Sequence, residues 1–234
     1  MEEFYQSKRF KVCEGPYVKF TSISAVLSAY FLAAAAALAD VRVVDGDTLE
    51  IDDTTYRING IDAPEYGQKC ASRSGGTWAC GKEAVGALIR YVSGKDVRCD
   101  SMAQDGFGRT VATCFADGTD IGALMVEQGW AWAFVKYSDV YVAEEAIAQN
   151  AGQGIWQADT MPAWEYRAQR WQVEEQKAPV GCPIKGNISS NGRIYHPPWS
   201  PWYSRTKISE EQGERWFCSE AEAVAAGWRA PRWN

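Results

Sequence analysis

Three short clusters hold the residues whose types and spacing could do chemistry. They are Asp45 and Asp47 in "VVDGDTLEI", Arg57, Asp62 and Glu65 in "YRINGIDAPE", and Arg109 in "DGFGRT". Carboxylate oxygens suit a hard divalent cation such as calcium or magnesium. A guanidinium stays charged at any physiological pH, and its planar fork bonds two phosphate oxygens at once. Together these groups suit chemistry at a phosphate ester. Each cluster alone is equally explained by a hairpin turn, since Asp-Gly tolerates positive φ, or by an arginine paired with a neighbouring carboxylate. The chain has a single histidine, His196, far downstream of all three. Ser-His-Asp and Cys-His hydrolysis are therefore excluded from this region. No P-loop or dinucleotide-type glycine loop occurs, and the spacing does not fit an EF-hand.

Those side chains need a frame. Val41–Val44, Thr48–Ile51 and Thr55–Ile58 are short β-rich runs divided by "DGD" and "DDT", which predicts a three-stranded antiparallel meander. Pro64 stops the ladder beyond the third strand and gives the loop carrying Asp62 and Glu65 one backbone shape. Val85, Leu88, Ile89 and Val92 recur at helical spacing before Gly94. "DVRCDSMAQDGFGRTVATCFADG" predicts two more strands around a glycine-rich turn, with Cys99 and Cys114 at cross-strand positions. A second helix begins at Ile121, Leu124 and Met125 and closes at Gly129. A third runs from about Asp139 to Asn150. Five strands and about three helices fit one small barrel, an α+β fold that is mainly β. From Pro162 a charged helix with Trp164, Ala168 and Trp171 on one stripe leads to the linker "KAPVG".

Composition is that of a globular protein, with 46% hydrophobic and 23% charged residues. The apolar run that ends in Ala37-Leu38-Ala39 reads as a secretory signal cleaved before Asp40. Ala25 to Ala39 spans 15 residues, against the roughly 20 that a bilayer crossing needs, although an uncleaved anchor is the alternative. Cleavage removes Cys13 and leaves six cysteines for an oxidising compartment. Pairing neighbours joins Cys70 to Cys80, Cys99 to Cys114 and Cys182 to Cys218, one of 15 connectivities. The remaining chain carries 20 basic against 27 acidic residues. That balance argues against tight binding of a polyanion.

In this order, "VVDGDTLEI", "YRINGIDAPE" and "DGFGRTVA" resemble the staphylococcal nuclease family over roughly Asp40 to Trp156, including its R-x4-D-x-P-E spacing from Arg57 to Glu65. The resemblance implies a five-stranded Greek-key barrel of the OB type, a calcium ion, and hydrolysis of DNA and RNA backbones that leaves phosphate on the 3′ side. Carried onto this chain, it implies that Asp47 and Asp62 bind calcium by carboxylate and Ala63 by its carbonyl, where the family often has Thr. Glu65 would hold the attacking water, Arg57 and Arg109 would clamp the phosphate, and Tyr137 would frame the nucleotide. Asp45 fits a supporting partner of the metal ligands. Two departures bear on substrate. "EYGQKCASRSGGTWACGKEA" inserts a cysteine-bearing finger after Glu65, and the chain is acidic. They predict weak, salt-sensitive binding strengthened by calcium, with single strands and frayed ends preferred. The alternative is a non-catalytic OB module that binds nucleic acid or a protein.

The expected organisation is a signal over residues 1–39, the barrel over 40–158, a helical linker over 159–181 and a small module over 182–234. The product would be a secreted or periplasmic monomer with no stable membrane span. Residues 182–234 resemble modules appended to some secreted nucleases and hold Trp199, Trp202, Trp216, Trp228 and Trp233, expected mostly in a core. Ser219 and Glu222 form a capping box before a short helix closed by Gly227. His196 with Cys182 and Cys218 would offer three zinc ligands and no fourth.

Overall fold

The computed structural model describes residues 40–175, 178 and 181–232. The apolar stretch read as a signal, and Trp233, lie outside the described residues. The meander forms as β1 (Val41–Asp45), β2 (Thr48–Ile51) and β3 (Thr54–Ile58), followed by the short β4 (Ile61–Asp62). The finger after Glu65 is a small hairpin, β5 (Cys70–Ala71) and β6 (Thr77–Trp78), and it leads into α1 (Cys80–Val92). Next come β7 (Val97–Gln104), β8 (Thr110–Ala116), β9 (Thr119–Asp120), α2 (Ile121–Glu127), β10 (Trp132–Ala133) and α3 (Val142–Ala151). The main sheet runs β1-β2-β3-β8-β7 with β9 on β8, and its one parallel joint is β3 on β8. These are the five strands expected of an OB-type fold. β10 pairs with β4, which brings the chain after α2 back beside Asp62.

The apolar side of the sheet, with Val43, Leu49 and Ile58, packs on Val85 and Leu88 of α1 and Ile121 and Met125 of α2 in one cluster. The helical spacing had marked those α1 residues, and all four helix residues are buried. Gly152 caps α3 in the left-handed region at φ 59°, the conformation that favours glycine. The β1–β2 turn departs from expectation. Its two central residues are Gly46 and Asp47, between the paired Asp45 and Thr48, and neither has a positive φ. Asp52 and Asp53 at the β2–β3 turn take φ 47° and 65° instead. Glycine is needed at 46 for a different reason. A Cβ there would lie 2.7 Å from the Ala63 Cβ, so the turn bearing Asp47 could not press against the loop bearing Asp62.

Beyond the sheet lie α4 (Ala163–Glu175), the strands β11 (Ile184–Ser189), β12 (Gly192–His196) and β13 (Arg215–Phe217) in the order β12-β11-β13, and α5 (Glu220–Ala225). Among the described residues no helix is long and apolar enough to cross a membrane. Disulfides join Cys70 to Cys80, Cys99 to Cys114 and Cys182 to Cys218, the neighbour pairing. Cys182 and Cys218 therefore offer no thiolates to zinc. Of the expected core tryptophans among the described residues only Trp228 is buried, beside Ile184, Tyr195 and Phe217. Trp199, Trp202 and Trp216 are half-buried: the Trp199 ring lies 6.3 Å from Trp171 of α4, and Trp202 lies between Tyr66, at 6.3 Å, and His196, at 6.0 Å.

His196 is buried, with Nδ1 3.2 Å from Ser200 Oγ and Nε2 3.0 Å from Asn187 Oδ1. Burial, and then the charge of Lys185, lower its pKa from 6.5 to about 4. The unfolded chain thus takes up this proton at a higher pH than the folded one. Stability should fall as pH drops through the interval from 6.5 to 4, by ~1–3 kcal/mol, and change no further on this account below it. Urea midpoints at pH 7 and pH 4.5 check this. His196→Gln should lose less stability between the two than the parent, and equal losses would assign the acid sensitivity elsewhere.

Candidate active site

β3, the β1–β2 turn and the loop after β4 bring the first two sequence clusters together. Asp47 is buried, and its Oδ2 accepts from Ala63 N at 3.1 Å while Oδ1 accepts from Thr48 Oγ1 at 2.9 Å. Arg57 Nη2 lies 3.1 Å from Asp47 Oδ2 and 3.2 Å from Asp62 Oδ1, and its Nη1 donates to Ile58 O. Asp62 has no exposed surface and Glu65 is 8% exposed. Asp45, in β1, accepts from Gly46 N through Oδ1 at 2.8 Å and lines the same cleft as Glu65. Four carboxyls therefore meet where β-strand ends and a proline loop converge.

Two devices hold the Glu65 loop in place. The buried Gln68 side chain accepts from Glu65 N through Oε1 at 3.2 Å and donates through Nε2 to Met161 O at 2.8 Å. Gly81, in the first turn of α1, sits so close that a Cβ would come within 1.7 Å of Glu65 O. The Cys70–Cys80 bridge fastens the finger to the same turn.

Arg109 lies in the same cleft, a cavity of about 1000 Å³ also lined by Asp45, Asp47, Arg57 and Glu65. It is bonded to none of those carboxylates. Its Nε donates to Asp105 Oδ2 at 2.7 Å, and its guanidinium sits 5.2 Å from the Phe107 ring centre. Binding through Nε leaves the two terminal nitrogens of the fork for a phosphate. Tyr137 also lines the cleft, 70% exposed, edge-on to Phe134 at 5.0 Å. Phe134 in turn stacks on Trp164 of α4 at 5.5 Å.

A residue that sequence reasoning missed completes the cluster. Arg167 Nη1 is 2.7 Å from Glu65 Oε1, and its Nη2 is 2.8 Å from Asp62 Oδ2. Ala163, fully buried against Trp132 and Ile155, anchors the first turn of α4. Arg167 follows one turn later on the same face and is thereby aimed at the carboxylates. The helix expected to be only a connection contributes a charge to the site. Gln68, Asp105 and Phe134 were also missed. Asp105 stands four residues before Arg109 in the quoted turn, and that spacing was the one available signal.

Charge in the cluster is under-compensated. Burial raises the Asp62 carboxyl despite Arg167 and Arg57 beside it. Burial also pushes Glu65 up to about 7, against Arg167 and with help from Asp47 and Asp62. Asp45 is raised well above the usual carboxylate range by burial and by Glu65. On Asp47 burial raises while Arg57 and the Ala63 N–H lower, and the net is downward. Four carboxyls face two guanidiniums, so the pocket has an affinity for further positive charge, and its donors are the hard oxygens that a calcium ion takes. In this arrangement, however, Arg167 occupies Asp62 and Glu65. No group of three or more His, Cys, Asp or Glu among the described residues surrounds a common point. The donor chemistry fits a divalent cation, provided Arg167 gives way.

The family model described as Staphylococcal nuclease homologue matches residues 55–158, and a second, ArfC, matches residues 167–230. Succinoglycan biosynthesis protein ExoI of Rhizobium meliloti (strain 1021) is 35% identical over 157 residues, 64% of this chain and 82% of that protein. The chain belongs to the staphylococcal nuclease family. An uncharacterized endonuclease of Escherichia coli O157:H7 is 32% identical over 135 residues, 54% of this chain and 82% of its own. Micrococcal nuclease of Shigella flexneri is 29% identical over 145 residues, 54% and 78% respectively. The segment matched to the nuclease family ends before α4 begins. Arg167 lies beyond that segment, in the region that the second family model matches.

Proposed function

We propose that this protein is a calcium-dependent nuclease, exported to the periplasm or the medium, that hydrolyses phosphodiester bonds of DNA and RNA. The observation that carries the reading is the buried convergence of Asp47, Asp62, Glu65 and Arg57 beside a cleft that Asp47, Arg57, Glu65 and Arg109 line. Three disulfides support the export reading. Asp47, Asp62 and the Ala63 carbonyl would hold the ion, which supplies Lewis-acid charge for the phosphate. The chain's own residues do the rest. Glu65, raised toward neutrality, orients a water and accepts its proton at a carboxylate oxygen. Arg109, tethered by Asp105, presents its two terminal nitrogens to the non-bridging oxygens, where negative charge accumulates in the transition state. Arg57 lowers the Asp47 carboxyl, offsets part of the burial that raises Asp62, and adds positive charge at the floor of the cleft.

Digestion of plasmid and single-stranded DNA, with calcium and then with chelator, tests this. Cleavage should need calcium, and Arg109→Ala should slow it by about 10²-fold, the scale of one lost transition-state donor. Equal digestion in calcium and chelator would overturn the reading.

A further inference from the structure

A second groove, about 920 Å³, runs over the C-terminal region. It is lined by Arg42, Arg205, Lys207, Arg229 and Arg232, and no Asp or Glu lines it. In a chain of net charge −6 this concentration of cations needs a reason. Glu50 partly answers two of them. It accepts from Arg42 at 3.3 Å and from Arg232 at 3.0 and 2.6 Å, and Arg42 also pairs with Asp40. Arg229 is spent on backbone, donating to Ala230 O and Asn191 O. Arg205 and Lys207 are exposed and bonded to no carboxylate among the described residues. Burial and the charges of Arg232 and Arg42 lower the Arg229 pKa. Those cations are crowded beyond what Glu50 offsets.

The groove is continuous with the cleft. Trp202, Arg229, Pro231 and Arg232 line both. The Arg232–Glu50 bonds hold this junction against β2. At the junction the Trp202 ring lies parallel to Tyr66, 6.3 Å between centres and 9° between planes. A cationic track of this kind suits a flexible polyphosphate, because a single strand can bend so that its backbone follows the charges.

We infer that this groove carries the sugar-phosphate backbone of a single-stranded nucleic acid beyond the cleft, with Arg205 and Lys207 on successive phosphates and Trp202 at the entrance. The inference rests on the nuclease reading and supplies what the acidic chain otherwise lacks, a local site for a polyanion. It assigns the C-terminal region a share of substrate binding.

The test uses the full chain in chelator, so that nothing is cut, with fluorescein-labelled oligo-dT of 4 and 20 nucleotides followed by anisotropy across a salt series. The 20-mer should bind more tightly than the 4-mer. Arg205→Ala/Lys207→Ala should weaken 20-mer binding about tenfold at 0.05 M salt. It should also reduce the log–log salt slope by about 1.4, two phosphate contacts at ~0.7 each. Arg90→Ala/Arg98→Ala removes two exposed cations that line neither cavity, and it should leave the slope unchanged. An unaltered slope in the first variant, equal losses in both variants, or equal binding of the two lengths would overturn the inference. So would a 20-base-pair duplex that displaces the labelled 20-mer better than the unlabelled strand. Cleavage of the 20-mer by the parent in calcium is a separate arm. Its failure would remove the nuclease reading, whereas the groove is decided by the binding measurements in chelator.

Discussion

Glu65→Gln should slow cleavage by about 10²–10⁴-fold while leaving the protein as stable as its parent. The carboxyl is buried and raised to about 7, so near neutral pH it is already only partly ionised. Glutamine has the same shape and keeps an oxygen for the Arg167 bond now made at 2.7 Å. Its amide also no longer repels Asp45, whose carboxyl the charge of Glu65 raises. Removing one negative charge from a cluster of four carboxyls also relieves repulsion. Little stability should therefore change. What is lost is the ability to take a proton from water, worth about 10²–10⁴ in rate. Single-turnover cleavage of a short oligonucleotide in calcium, with a thermal melt on the same sample, separates the two effects. A variant that melts like the parent and still cuts within a few-fold of its rate would show that Glu65 is not the proton acceptor.

Arg167→Ala should have opposite consequences with and without calcium. In chelator the substitution leaves Asp62 and Glu65 buried with one fewer counter-charge, and breaking a buried pair from one side costs about 3–5 kcal/mol. The Arg167 side chain keeps a quarter of its surface exposed, which places the expected loss at the lower end. In calcium the same change removes the group that competes for both carboxylates. The melting midpoint should therefore drop in chelator and recover in calcium by more than the parent's rise. Calcium affinity measured by calorimetry should be at least about tenfold tighter, the effect of ~1.4 kcal/mol of competition removed. Arg167→Met, which keeps much of the packing volume, should tighten calcium in the same way. Weaker calcium binding in both variants would make Arg167 a support of the ion site and not its competitor.

Much of the barrel was legible along the chain because its determinants are local. β1 to β3 follow from alternating β-rich runs broken by acidic turns, and α1 from four apolar residues at helical spacing. The three disulfides join nearest neighbours, 10, 15 and 36 residues apart. Asp47, Arg57, Asp62 and Glu65 were legible as candidates because they fall within 19 residues, where three strands and one proline leave few ways to fold. Tertiary structure decided the rest. Arg167 looks like any solvated charge on a polar helix, and its partner Asp62 is 105 residues away, too far for a periodic pattern to connect them. Gly46 reads as a turn former, but what requires it is the approach of Ala63 from another loop. The cationic groove draws its charges from β1 at Arg42, from the segment after β12 at Arg205 and Lys207, and from Arg229 and Arg232, so no single stretch looks basic. A sequence records backbone preference and apolar period over one or two turns, whereas the field at a site sums charges from every element that packs around it.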